Sequence, residues 1–180
     1  MTRWLIPLLL TLTVASTGTA DSRQPELSGL TRIVPKVLFS VGKDEARRIG
    51  LDEGTIQGVL DVKLRQAGVR TVQGVEAAKL PEEARWYLPQ LTLDVRVYRV
   101  ESEPRFYLWG VQLYLHDDVR LTRNSRTRLM AQTWISRGVY GTLRAEPAEA
   151  QEAARTEINA SIRDQLDEFT RAYLGANSTR

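Results

Sequence analysis

The chain has 180 residues with 25 basic and 22 acidic side chains, no Cys and one His. A formal charge of +3 on this length gives no basic surplus of the kind that marks nucleic-acid binding, and the absence of Cys excludes disulfides and thiolate metal sites.

Chain order begins with Arg3 and an apolar run of about 12 residues, Trp4 to Ala15. That run is too short for a membrane-spanning helix, which needs roughly 20 residues. It is followed by Gly18-Thr19-Ala20, the small-x-small pattern of a signal-peptidase site, so residues 1–20 are expected to be a signal cleaved after Ala20. Loss of Arg3 leaves 24 basic against 22 acidic residues. With no Cys to acylate, the exported chain, periplasmic or secreted, is expected not to be a lipoprotein.

Residues 21–31 are polar with Pro and Gly and are expected to form a flexible lead-in to one domain over residues 32–175. Ile33 to Val41 is rich in β-branched residues and predicts a strand, with Pro35 restricting it to an edge or a strand start. From Asp52, a plausible N-cap, Ile56, Val59, Leu60, Leu64 and Ala67 recur at helical spacing up to Gly68, and a strand should close by Val72. A short helix is predicted over Pro81 to Trp86.

Alternation then takes over. Leu91, Leu93, Val95 and Val97 point one way, and Thr92, Asp94, Arg96 and Tyr98 the other. After Glu101 to Pro104 the pattern resumes with Tyr107, Trp109, Val111, Leu113, Leu115, Val119 and Leu121 on one face. Thr122 to Arg128 reads as a polar turn, and Leu129 to Leu143 as the last strand of an antiparallel meander, loosened by Gly138 and Gly141. A final helix from about Pro147 carries the stripe Ala154, Ile158, Ile162, Leu166, Phe169 and Tyr173, with Gly175 and a disordered tail, 176–180, ending it. The order β-α-β-β-β-β-α predicts an α+β two-layer sandwich, with one mostly antiparallel sheet of about five strands and two helices on one face.

No motif assigns a catalytic residue, a metal site or a cofactor. His116-Asp117-Asp118 alternates across a strand, so the three side chains diverge, and neither a nucleophile elbow nor a phosphate loop occurs. The second sheet face is richer: Arg96, Tyr98, Phe106, Leu108, Gln112, Tyr114 and His116, joined by Trp134, form either ordinary cross-strand pairs or a partner-binding face. Gly138-Val139-Tyr140-Gly141 is either a bulge or a recognition loop.

Ile56-Gln57-Gly58-Val59-Leu60, Leu64-Arg65-Gln66-Ala67-Gly68-Val69, Gln132-Thr133-Trp134 and Asp164-Gln165-Leu166-Asp167-Glu168-Phe169 together resemble uncharacterised secreted bacterial proteins. The topology is similar to small envelope domains: the N-terminal domain of the translocation protein TolB, the curli secretion factor family and the activators of penicillin-binding proteins. The resemblance implies partner binding rather than catalysis, and it transfers no active-site residue. With the aromatic sheet face it leads to the expectation of a non-enzymatic interaction module for an envelope protein or glycan. The near-neutral charge gives no case for nucleic acid, and no segment after the signal is apolar enough to cross a membrane. The alternative expectation is a small-molecule or lipid carrier whose cavity would be lined by Trp109, Leu113, Phe169 and Tyr173, and a third is a hydrolase.

Overall fold

The computed structural model describes residues 24–73, 76, 78–103, 106–144 and 149–178. The expected signal and its cleavage site lie outside the described residues. Among them are six strands and four helices, forming an α+β sandwich.

A 3-10 turn at Pro25–Leu27 leads into β1, Arg32–Val41. The lead-in is part of the fold, since Leu27 and Leu30 are buried in the core. Gly42, at φ +68°, ends β1 and starts α1, Lys43–Arg48, a helix that the composition of that stretch did not announce. α2, Glu53–Gln66, begins at Asp52, whose carboxylate accepts the Thr55 amide at 2.7 Å, and stops before Gly68 at φ +76°. Ile56, Leu60 and Leu64 face the core, but Val59, expected in the same stripe, is exposed.

β2 is only Arg70–Thr71. α3, Glu82–Trp86, follows Pro81 as expected. β3 is Gln90–Arg99 and β4 Phe106–Leu121. The stretch expected to be a polar turn is mostly strand: the turn shrinks to Thr122 and Arg123, and β5 runs from Asn124 to Ile135. β6, Val139–Arg144, follows after a break at Ser136 to Gly138.

The sheet order is β2-β1-β3-β4-β5, with β6 beside β4 on the same edge as β5. β2, β1 and β3 are parallel, while β3, β4 and the β5/β6 edge are antiparallel. Pro35 is tolerated in β1 because β2 reaches only Arg32 and Ile33, leaving its imino side unpaired. Gln57 of α2 covers that open stretch, accepting from the Val37 amide at 3.1 Å and donating to the Pro35 carbonyl at 3.4 Å.

α4, Glu149–Asn177, buries Ala154, Ile158, Ile162, Leu166, Phe169 and Tyr173, the expected stripe. It does not end at Gly175. Asn177 extends it, accepting the Gly29 amide and donating to the Leu27 carbonyl, each at 2.9 Å, and so ties the helix end to the lead-in. Residues of α1, α2 and α4 share one apolar cluster with Ile33, Val37, Leu91 to Val97 in alternation, and Trp109 to Leu115 in alternation, which puts these three helices on one sheet face. Among the described residues no helix is long and apolar enough to cross a membrane.

Candidate functional site

The uncovered sheet face carries the other half of each alternation. Cross-strand register arranges it in rows: Tyr98, Leu108 and Thr142 form one, Arg96, Gly110 and Tyr140 the next, and Asp94 with Gln112 the third. Gly110 lacks a side chain at the centre of its row. The result is a groove of about 420 Å³ lined by Arg96, Tyr98, Leu108, Gly110, Tyr140 and Thr142, with the edge of Trp109 below.

Two glycines shape it. A Cβ on Gly110 would stand 2.7 Å from the Tyr140 ring, so the ring lies across bare backbone; a Cβ on Gly141 would stand 2.5 Å from the Trp109 indole, which occupies that space on the core side. Tyr98, Leu108 and Tyr140 are 45%, 42% and 64% exposed, and Ile135 lies exposed farther along the same face. Four of the molecule's eight exposed large apolar side chains among the described residues thus share this face, which is more than isolated surface residues require.

Beneath the groove edge lies a buried charge. Asp94, only 2% exposed, receives the Arg96 guanidinium at 2.7 Å, and Arg96 Nε also reaches Ser40 Oγ at 3.3 Å. The hydrogen bond that Arg96 donates to the Asp94 carboxylate strengthens the hold of Arg96 on its proton. Asp94 Oδ1 is buried with no hydrogen-bond partner among the described residues. Burial, followed by the charge of Asp94, pushes the Tyr114 phenol above its ordinary range. The groove is therefore lined by aromatic faces and a guanidinium held in a set orientation. Stacking and hydrogen bonding are its available chemistry; the hydroxyls of Tyr98, Tyr140 and Thr142 have no His, Asp or Glu beside them among the lining residues to activate them.

The expected face residues divide. Arg96 and Tyr98 line the groove, with Phe106 and Gln112 in flanking rows of the same face. Tyr114 and His116 share the face farther along β4, their rings edge to face at 5.1 Å, outside the groove. Trp134 is a correction: it is buried in the core, paired with Leu115 and edge-on to Phe169 at 5.2 Å. The cause is the extra residue Thr133, a bulge opposite Leu115 and His116 that inverts the alternation of β5.

The sequence pattern offers Tyr140 only within the 138–141 segment, which is strand rather than loop from Val139 on, and singles out neither Gly110 nor Thr142. Restarting the alternation at Val139 would have found Tyr140 and Thr142, because Val139, Gly141 and Leu143 face the core. The His116 triplet does not converge: Asp118 pairs with Arg128, while Asp117 lies on the other face, its carboxyl pushed up by burial. No group of three or more His, Asp or Glu able to hold a metal ion occurs among the described residues. The residues expected around a carrier cavity, Trp109, Leu113, Phe169 and Tyr173, are members of the packed core, with Phe169 stacked on Tyr173.

No family model and no curated protein matches the chain. Solved structures similar to it include a minor lipoprotein from Acinetobacter baumannii, at 10% identity and TM-score 0.37, covering 80% of this chain and 90% of that one. A putative neuraminyllactose-binding hemagglutinin homolog from Helicobacter pylori matches at 11% and 0.38, over 80% and 86% of the two chains. The rare lipoprotein B from Shewanella oneidensis matches at 11% and 0.31, over 79% and 90%. At these scores neither the architecture nor the role of those proteins transfers to this chain.

Proposed function

We propose that this chain is an exported, non-enzymatic binding module of the bacterial envelope that holds an envelope protein or glycan in the groove of the uncovered sheet face. The observation that carries the reading is the groove itself: Tyr98, Leu108 and Tyr140 exposed side by side around Gly110, with Arg96 anchored at the rim by Asp94. Tyrosine and arginine contribute most where they are rigid and close together, because little side-chain freedom is lost on binding. Aromatic faces suit the apolar faces of sugar rings as well as protein side chains, and the guanidinium supplies directional donors to either.

A photoreactive phenylalanine placed at position 140 in living cells tests this. It is expected to form a discrete adduct that is absent when the same residue replaces Val62, an exposed position on α2. Adding Tyr98→Ser should reduce adduct yield about tenfold, as loss of one central contact does. Equal labelling from both positions, or no adduct at 140, would sink the reading.

A further inference from the structure

A run of positive charge unbalanced by any acidic residue lies away from the groove, at the far end of the β4–β5 hairpin. β3 stops pairing with β4 at Gln90 and His116, whereas β4 and β5 continue together to Leu121 and Asn124 as a two-stranded ribbon. The segment Val119 to Met130 contains Arg120, Arg123, Arg126 and Arg128 and no acidic residue. Setting these four aside leaves 21 basic against 22 acidic residues, so the net positive charge of the chain resides in this tip.

Arg128 is already committed. Its Nε contacts both Asp118 carboxylate oxygens, at 2.9 and 3.1 Å, and its guanidinium lies 4.0 Å over the Tyr87 ring, fastening the ribbon to the segment after α3. Arg120, Arg123 and Arg126 are exposed, and among the described residues none is paired with a carboxylate. Arg123 sits in the two-residue turn and Arg126 in the irregular part of β5 opposite Arg120 and Leu121. Aliphatic side chains alternate with them: Val119 and Leu121 point away from Arg120, and Leu129, 36% exposed, pairs with Val119.

We propose that this ribbon tip docks the domain on an anionic phospholipid bilayer, with the three unpaired arginines on lipid phosphates and Leu121 and Leu129 in the interface. Guanidinium groups match phosphate geometry, and their long stems let the charge stay at headgroup level while aliphatic neighbours go deeper. A nearly neutral remainder directs the attraction to the tip. Nucleic acid is the poorer fit, since Val119 to Met130 offers no aromatic ring to stack on a base. These observations are independent of the groove.

Residues 21–180, which hold every described element, are to be floated with vesicles. They are expected to rise with phosphatidylethanolamine–phosphatidylglycerol vesicles and to stay behind with phosphatidylcholine vesicles. Arg120→Gln/Arg123→Gln/Arg126→Gln, which leaves the Arg128 clamp in place, should lower binding to the anionic vesicles roughly a hundredfold, at about fivefold per arginine. Leu121→Ser/Leu129→Ser should weaken the binding that survives high salt. Arg65→Gln/Arg85→Gln/Arg171→Gln, the same loss of charge at three exposed positions elsewhere, should bind as the unaltered chain does. An equal loss in that control, equal binding to phosphatidylcholine, or tighter retention by duplex DNA than by the anionic vesicles would overturn the proposal.

Discussion

Gly42 and Gly68 look alike in sequence and hold similar backbone angles, φ +68° and +76°, yet their surroundings differ completely. A Cβ on Gly42 would lie 1.7 Å from the Val97 carbonyl oxygen, which is backbone in the central strand and cannot yield, whereas one on Gly68 would meet nothing within 4 Å. Gly68→Ala is therefore expected to cost only the left-handed conformation, about 1 kcal/mol. Gly42→Ala adds overpacking and should cost about 3 kcal/mol or more. Urea midpoints of the two variants check the contrast, and equal losses would refute it. Gly68 was legible as a helix stop, and Gly42 as a strand end. The closeness of Gly42 to Val97 was not legible, because it joins residues 55 positions apart.

At the scale of elements, β5 and β6 form one long edge along β4, interrupted where Ser136, Arg137 and Gly138 stand against Gln112 and Leu113. α4 holds this break. Ser136 Oγ accepts the Leu113 amide at 3.0 Å and donates to Gln165 Oε1, while Gln165 Nε2 donates to the Arg137 carbonyl at 2.9 Å. Gln165→Leu would leave the Ser136 hydroxyl and the Arg137 carbonyl without these partners and should destabilise the fold by about 1–3 kcal/mol in chemical denaturation. No change would mean that water replaces the amide at no cost. Alternation in β3 and β4 was readable because each strand keeps a strict period of two against one covered face. It failed in β5 at Thr133, where a bulge costs one residue of register, and with it failed the placement of Trp134; the break at Ser136 to Gly138, three residues against two, shifts the register again before Tyr140.

For the whole molecule, burial is uneven. β3 and the first half of β4 lie between neighbours on both sides and under the helices, while the ribbon beyond His116 has two strands and only partial cover. Amide exchange should follow this gradient: Leu91 to Val97 and Val111 to Leu115 slowest, Val119 to Met130 faster by orders of magnitude. Uniform protection would show that the ribbon is covered in solution. The sequence by itself determined the class of fold, the core stripes of β3, β4 and α4, the start of α2 and the side of the sheet on which Arg96 and Tyr98 stand, because period, capping and turn chemistry are local properties. Only the tertiary structure decided that Gln57 covers the open edge of β1, that Asn177 ties α4 to the lead-in, and that Tyr140 meets Arg96 across Gly110. Each of these joins residues far apart in the chain through strand register or helix docking, and no local pattern records either.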